Sequence, residues 1–183
     1  VENNRCYGAK VIHIVNKKTR IFHADFTILA TGGIGNTYQH SSNPAIATGD
    51  GIAMALRAGA TILDMEFIQF HPTVFYEKES KNKFLISEAV RGFGAHLKNK
   101  RGERFLLKID SRGELASRDI VSQAIDMELK KSGEPCVFLD CTHLDMDKFK
   151  THFPTIVQTC IAKGVNPARD WIPVVPAQHY LCG

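Results

Sequence analysis

Four short polar islands interrupt a sequence whose flanking segments are apolar or turn-forming. They hold two histidines, two arginines, a glutamate and several hydroxyl groups, and they cover residues 69–73, 87–92, 117–119 and 179–183. A fold that joins these distant islands would create a site for a small dianion, with a group for proton transfer included. The sequence therefore predicts a chain folded around a polar site.

Composition limits the alternatives. The 183 residues suffice for one substantial core, or for one domain and part of another, and the 44% hydrophobic and 23% charged content is typical of a globular protein. The net charge of +4 comes without interleaved aromatic and basic residues, so we expect no nucleic acid partner. No apolar run approaches the roughly 20 residues of a membrane span.

The five cysteines are scattered and form no C-x-x-C pair. This pattern argues against a disulfide framework and a zinc site, and it favours a reducing, cytoplasmic compartment. We expect no metal. The sequence begins with Val1 and ends at Gly183 in the fourth island, so we interpret it as a fragment of a larger protein.

The first part of the chain predicts a hairpin from residues 11–15 and 21–26 and a buried strand over residues 26–30. That strand would end at Thr31-Gly32-Gly33, where backbone N–H groups can approach a ligand, although glycine pairs after strands are common. A helix is predicted over residues 52–60. Asp50 before it either contributes to nucleotide binding or caps the helix.

Residues 72–175 have a mixed α+β pattern. Apolar spacing predicts a helix over residues 117–131 with Ser117 as its cap, and a strand over residues 136–140. A second helix is predicted over residues 149–163, closed by Gly164. Residues 173–176 predict an extended connection.

Each polar island also has a simple structural interpretation. A histidine before proline is common in turns, and Ser87 and Glu88 have the types of an N-cap and a first-turn acid. Arg91 lies three residues after Glu88, which suffices for an ion pair, and Arg118 next to Asp119 is typical of a solvated surface pair.

Taken together, the islands indicate more. Arginine binds a carboxylate through two hydrogen bonds, and histidines with a serine hydroxyl can bind a second carboxylate without excess charge. A Glu88–Arg91 pair could pass protons toward Arg118. Such a set would assist hydride transfer at a dicarboxylate, and a flavin or nicotinamide would have to supply the redox chemistry.

The motifs resemble the succinate dehydrogenase/fumarate reductase flavoprotein family. The resemblance runs in order from about Ile28 onward and rests on residues 30–33, 43–44, 48–55, 69–73, 117–119 and 179–180. Within this family, residues 175–183 are most similar to the members that oxidise L-aspartate. Cys182 stands where members acting on succinate or fumarate usually carry methionine, and residues 113–116 also suit the aspartate-oxidising members.

The resemblance implies a role for each candidate residue. His71 and His179 would bind substrate carboxylates, with help from Ser87, and Arg118 would act beside the reacting carbons. Glu88 and Arg91 match a proton-relay pair of fumarate-reducing members, and in an amine oxidation they would mainly position the substrate. The flavin-binding positions would be those of Thr31, Gly32, Gly33 and Asp50.

The implied reaction converts L-aspartate to iminoaspartate with noncovalent FAD as hydride acceptor. Oxygen or fumarate would reoxidise the flavin, the product would enter NAD biosynthesis, and quinolinate synthase is the suggested protein partner. Two alternatives stay open: a fumarate reductase or succinate dehydrogenase flavoprotein subunit, and a non-catalytic dicarboxylate-binding module. Phe93 departs from the family pattern, since many members have glutamate there.

The resemblance also implies the fold class and the domains. We expect an α+β fold, made of the capping domain of a fumarate reductase-like flavoprotein and the C-terminal part of a Rossmann-like FAD-binding domain. The FAD-binding part would cover residues 1–70, the capping domain residues 71–176, and the return residues 177–183. Hinges are expected near residues 71–72 and 175–176, and the isolated chain is expected neither to retain FAD nor to turn over aspartate.

Overall fold

The computed structural model describes residues 1–3, 5–80 and 83–182. Gly183, the last residue of the fourth polar island, lies outside them. In the described part of the chain, no helix combines the length and the apolar composition needed to cross a membrane. The described elements are short helices and antiparallel strands.

An antiparallel hairpin opens the fold. Strand β1 (Gly8–Ile12) pairs with β2 (Thr19–His23), so the predicted hairpin is confirmed with shifted bounds. Lys17 in the turn has a φ of 56°, the left-handed conformation that tight turns require. The strand predicted over residues 26–30 is wrong. Those residues have no regular structure and no strand partner among the described residues, and Phe26 is 91% exposed.

Helix α1 (Asp50–Arg57) confirms the helix predicted after the glycine-rich turn. Its N-cap is Gly49, with a φ of 82°, and no side chain caps the first turn. Asp50 is therefore the first helical residue rather than the cap, so the capping interpretation is not supported.

A four-stranded antiparallel sheet forms the centre of the second part of the chain. The strand order is β3, β6, β5, β4, and the bounds are β3 (Ile68–Phe75), β4 (His96–Lys98), β5 (Val137–Asp140) and β6 (Ile172–Leu181). The predicted strand over residues 136–140 is confirmed as β5. The predicted extended connection over residues 173–176 belongs to a longer strand, β6.

Two helices position the polar islands against this sheet: α2 (Glu88–Gly92) and α3 (Arg118–Ser132). The predicted helix over residues 117–131 is confirmed as α3. Its apolar spacing buries Val121 and Ile125 in the main core. Ser117 occupies the N-cap position, but its hydroxyl accepts no N–H from the first turn.

The single helix predicted over residues 149–163 is wrong. The chain forms two helices, α4 (Met146–His152) and α5 (Pro154–Ala162), with Phe153 between them at φ −128° and ψ 51°. Proline disfavours the helical conformation of the residue before it and suits the first turn of a new helix. Pro154 therefore explains the break.

The pairing of β3 with β6 brings the first and fourth islands side by side. Gln69 lies opposite Tyr180 and His71 opposite Ala177, with register shifts after Gln69 and after His71. The second shift spans Pro72, which has no N–H to donate to the ladder. The predicted domain borders at residues 70/71 and 176/177 fall within these strands, and the division into domains stays a prediction.

Candidate active site

Two histidines of the predicted site lie side by side on neighbouring strands. The rings of His71 on β3 and His179 on β6 lie edge to face with centroids 5.3 Å apart. His71 is 1% exposed, and its Nδ1 accepts a hydrogen bond of 3.2 Å from the backbone N–H of Thr73. Because Nδ1 is an acceptor, the neutral His71 ring carries its proton on Nε2.

Burial keeps His71 neutral. Removal from water, followed by the charges of His179, Arg118 and Arg91, lowers the pKa of His71 to about 4, although the carboxylate of Glu88 acts in the opposite direction. Burial, followed by the charge of Arg118, also lowers the pKa of His179. The pair therefore offers hydrogen-bonding groups without adding full charges at neutral pH.

A carboxylate joins the two arginines of the predicted site. Glu88 Oε2 accepts a hydrogen bond of 2.8 Å from Arg118 Nε, and its Oε1 lies 3.3 Å from Arg91 Nη2. The predicted ion pair of Glu88 with Arg91 is confirmed. Arg118 pairs with Glu88 across two helices instead of forming the surface pair with Asp119, so the simple interpretation of that motif is wrong.

Glu88 stays ionised between its partners. Burial raises the pKa of Glu88, but the hydrogen bond from Arg118 and the charges of Arg91 and Arg118 outweigh it, and the pKa lies below the ordinary value. A second nitrogen of the Arg118 guanidinium is also fixed, because Nη1 donates a hydrogen bond to Gln69 Oε1 over 2.9 Å. Arg118 is therefore held from two sides.

Arg91 is the most deeply buried charge of this group. Its side chain is 1% exposed, and its Nη1 donates to the backbone carbonyl of Glu114 over 2.5 Å. Burial lowers the pKa of Arg91, while Glu88 raises it. The Glu114 carboxylate is itself fixed by the N–H of Leu97 and the guanidinium of Arg104. Glu114 lies in residues 113–116, which carry part of the family resemblance, but its contacts with Arg91 and Arg104 were not predicted.

Ser87 takes the structural role that its position suggested. It is the N-cap of α2, and its Oγ accepts a hydrogen bond of 3.2 Å from the N–H of Ala89. The proton of its hydroxyl is not used by this bond. A contact between Ser87 and substrate stays a prediction.

A cavity of about 1040 Å³ opens beside Arg118 and Glu88. Gln69 and Cys182 contribute to its polar side, and the apolar wall comes from Phe67, Phe70, Leu129 and Val175. His71, His179, Ser87 and Arg91 do not line it. The structure thus brings Arg118 and Glu88 to the cavity and keeps the histidine pair to one side.

Phe93, where many members of the resembling family have an acid, has a packing role. Its ring lies 6.0 Å from that of Phe149 and 5.5 Å from that of Phe153, measured between centroids. An aromatic cluster of this kind stabilises through burial of apolar surface. At the position where many members of the family have glutamate, this chain therefore has a phenylalanine that packs against other aromatic rings.

The glycine-rich turn fits a role in cofactor binding. Gly32 has a φ of 79°, and nothing lies within 4 Å of a Cβ built there. The turn sits at the start of α1, where Gly49 N–H donates to Gly33 carbonyl over 3.1 Å and a Cβ on Gly51 would meet Thr31. Open backbone beside a helix N-terminus suits phosphate and hydroxyl groups.

A turn that sequence reasoning did not assign holds the second histidine. Ser42 Oγ lies 2.7 Å from His179 Nδ1, and Asn43 Nδ2 donates to the backbone carbonyl of His179 over 2.9 Å. Asn43 also donates to Gln178 Oε1. In the sequence, Asn43-Pro44 resembles a family motif, but nothing in the local pattern indicates the distant partner of Asn43.

The model of the FAD binding domain family matches residues 1–183, the whole chain. The chain belongs to the FAD binding domain family. FAD is accordingly its cofactor, and the predicted resemblance to a flavoprotein family is confirmed. The mixed helix and strand fold agrees with this assignment.

Curated relatives of this FAD binding domain chain are L-aspartate oxidases. The enzyme of Acinetobacter baylyi is 50% identical over 182 residues, which is 100% of this chain and 33% of the relative. The enzyme of Pseudomonas aeruginosa is 48% identical over 99% of this chain and 34% of its own length. A chloroplastic L-aspartate oxidase of Arabidopsis thaliana is 45% identical over 99% of this chain and 29% of its own length. The chain thus spans about a third of the length of these relatives.

Solved structures of fumarate reductases share the fold. A quinol-fumarate reductase superposes with a TM-score of 0.89 at 34% identity, covering 99% of this FAD binding domain chain and 34% of the other. The open conformation of a flavocytochrome c3 fumarate reductase gives 0.61 at 26% identity, covering 99% and 40%. Identity to the L-aspartate oxidases is higher than to either reductase.

Proposed function

We propose that this chain is the substrate-binding part of an FAD-dependent L-aspartate oxidase, which converts L-aspartate to iminoaspartate in NAD biosynthesis. The observation that carries the proposal is the His71–His179 pair beside the Arg118–Glu88–Arg91 network. The higher identity to L-aspartate oxidases than to fumarate reductases supports the choice of substrate.

In this proposal the two histidines bind substrate carboxylate. His71 is neutral and carries a proton on Nε2, so it donates one hydrogen bond without placing a second cation beside Arg118. Ser87 adds a hydroxyl from the start of α2. A dianion would then meet one full positive charge from Arg118 and several neutral donors, which favours binding without excess charge.

Arg118 acts at the reacting carbons. Two of its nitrogens are fixed by Glu88 and Gln69, so the third, Nη2, is left to polarise the substrate or to exchange a proton with it. Bound FAD supplies the hydride acceptor. Because the guanidinium is held on two sides, little reorganisation is needed when the substrate charge changes, and this favours catalysis.

Glu88 and Arg91 position Arg118 in an amine oxidation. The Glu88 carboxylate balances the charges of both arginines, and the buried Arg91 is anchored to the carbonyl of Glu114. A chain of ionised groups that ends at Arg118 also offers a proton route, the role that these positions have in fumarate-reducing members of the family.

The cofactor side of the proposal rests on the glycine-rich turn. Thr31, Gly32 and Gly33 would bring backbone N–H groups to noncovalent FAD, and Asp50 at the start of α1 would accept from its hydroxyl groups. Residues 1–70 would then belong to a Rossmann-like FAD-binding domain and residues 71–176 to a capping domain, with residues 177–183 returning to the first. The chain alone would retain little FAD.

The remaining partners follow from the reaction. Oxygen or fumarate would reoxidise the flavin, and quinolinate synthase would accept the unstable imine. A cytoplasmic location is part of the proposal. One relative is named a chloroplastic enzyme, so location differs among relatives.

An aerobic assay of the full-length protein tests the proposal. L-aspartate and succinate are offered separately and peroxide is measured, and we expect peroxide from aspartate. Arg118→Gln should abolish this activity, whereas Arg112→Gln, which removes an exposed arginine paired with Asp110, should leave it intact. Peroxide with succinate but not with L-aspartate would contradict the proposal and favour a succinate dehydrogenase. Saturable aspartate binding by the chain without flavin or turnover would favour the non-catalytic module.

A further inference from the structure

The hydroxyl of Ser42 makes the shortest polar contact to the imidazole of His179. Its Oγ lies 2.7 Å from Nδ1, although the two residues are 137 positions apart in sequence. Ser42 belongs to none of the four polar islands. Its turn crosses β6 where Ser41 forms a parallel bridge with Gln178.

The surrounding hydrogen bonds indicate which partner donates. Ser42 Oγ also lies 3.1 Å from the carbonyl of Gln178, which is long for an O–H donor, whereas 2.7 Å matches the usual O–H distance. The Gln178 carbonyl already accepts the backbone N–H of Ser42 over 2.9 Å. Of these two acceptors, Nδ1 of His179 is the nearer, and we therefore expect it to receive the hydroxyl proton.

Several hydrogen bonds hold the turn that carries Ser42. Ser41 is completely buried, and its Oγ accepts the N–H of Asn43 over 3.0 Å. The amide of Asn43 donates to the side chain of Gln178 over 2.6 Å. A Cβ on Gly35 would lie 2.3 Å from the same Gln178 side chain, so close approach there requires glycine. Ser42 is thus held in place before any ligand binds.

We propose that Ser42 is a positioning residue that donates its hydroxyl proton to His179 Nδ1 and thereby fixes His179 as an Nε2–H donor for substrate carboxylate. The inference rests on the proposed function of the site. It assigns to His179 the tautomer that the backbone N–H of Thr73 imposes on His71. Both imidazoles then present one neutral donor to the same dicarboxylate.

Fixing the tautomer matters because the wrong one would repel the ligand. A neutral His179 with its proton on Nδ1 would turn the lone pair of Nε2 toward a carboxylate oxygen. The neutral imidazole of His71 on β3 and the charged guanidinium of Arg118 on α3 face His179, and Tyr180 packs on its ring with centroids 4.2 Å apart. None of these holds Nδ1, so Ser42 alone among the described contacts sets the proton position.

The test uses the full-length protein with ¹⁵N-labelled histidine. Wild type should show a pyridine-like Nδ1 and a pyrrole-like Nε2 for His179 at neutral pH. In Ser42→Ala the two signals should move toward averaged values and the pKa of His179 should rise, because a donor to the neutral form is lost. Ser42→Thr, which keeps the hydroxyl, should match wild type.

Kinetics give the second readout. Loss of one net hydrogen bond should raise the KM for L-aspartate about three- to tenfold in Ser42→Ala, with a smaller change in kcat. Ser42→Thr is the matched control, since it keeps the hydroxyl at the same position, and its KM should stay at the wild-type value. Equal increases in KM for Ser42→Thr and Ser42→Ala would assign the change to altered packing of the turn and overturn the proposal.

Two further results would overturn it: a pyrrole-like Nδ1 or an imidazolium at His179 in wild type, or unchanged signals in Ser42→Ala. The histidine spectra do not require turnover. If the protein fails to oxidise aspartate, the proposed function fails, yet the Ser42 assignment is still decided by these spectra and by their shift on addition of succinate.

Discussion

Replacement of His71 by glutamine should flatten the acid dependence of stability. The folded-state pKa of His71 is about 4, below the ordinary 6.5 of an exposed imidazole, because the ring is 1% exposed and faces Arg118 and His179. Between these two values the unfolded chain binds more protons than the folded chain. The stabilisation that His71 provides is therefore complete above pH 6.5 and is lost as the pH falls toward 4.

The magnitude follows from the two pKa values of His71. At about pH 5, protonation of this histidine in the unfolded state lowers the free energy of unfolding by about 2 kcal/mol relative to neutral pH. At about pH 4, the decrease reaches about 3 kcal/mol. Glutamine does not titrate, and its amide oxygen can accept the N–H of Thr73. The free energy of unfolding of the His71→Gln chain should therefore not show this decrease between neutral and acid pH, whatever its value at neutral pH.

Urea denaturation of the 183-residue chain can measure the difference. Trp171, the single tryptophan, packs against Phe138 and Lys98 at the edge of the sheet and reports unfolding by fluorescence. His23→Gln removes an exposed histidine of β2 and serves as the control. If the free energies of unfolding of wild type and His71→Gln fall in parallel between about pH 7 and about pH 5, within about 0.5 kcal/mol, the assignment of a buried neutral imidazole is refuted.

Two further predictions concern the Glu88 network and the thiols. Glu88→Gln should lower kcat/KM for L-aspartate about a hundredfold in the full-length protein, because a neutral amide no longer balances the charges of Arg118 and Arg91. Glu134→Gln, in the exposed pair with Lys100, should leave kcat/KM unchanged, and equal activities of the two variants would contradict the role of Glu88. Titration of the folded chain with a thiol reagent should show two fast thiols and five after denaturation, since three are buried with pKa values raised by burial to about 11, 12 and 11; a third fast thiol would contradict their burial, the slow set being Cys136, Cys141 and Cys160.

Local patterns predicted those elements whose signals are local. The spacing of Val121 and Ile125 indicated α3, and the polar turn around Lys17 indicated the hairpin. The helix predicted over residues 149–163 contains Pro154, and proline is typical of the first turn of a helix, not of its interior. Residues 26–30 have strand composition, but a strand also needs a neighbour, which no local pattern supplies.

In the candidate site too, local sequence signals were predictable and contacts between distant residues were not. The residue types of the islands indicated a dianion site, and the family resemblance added a role for each position. The geometry supplied the contacts between distant elements, such as the bond from Arg118 to Gln69 and the one from Ser42 to His179. These partners are 49 and 137 residues apart, so no spacing rule could have revealed them.

The antiparallel pairing of β3 and β6 has a mechanical consequence. Because His71 and His179 lie on neighbouring strands of one hydrogen-bonded ladder, any tilt of that ladder carries both imidazoles together and preserves the 5.3 Å between their centroids. Arg118, on the helix that packs against β3, is tied to the same strand through Gln69. A rocking motion of the ladder would therefore move the two imidazoles and Arg118 as one unit, without changing the spacing between the two rings.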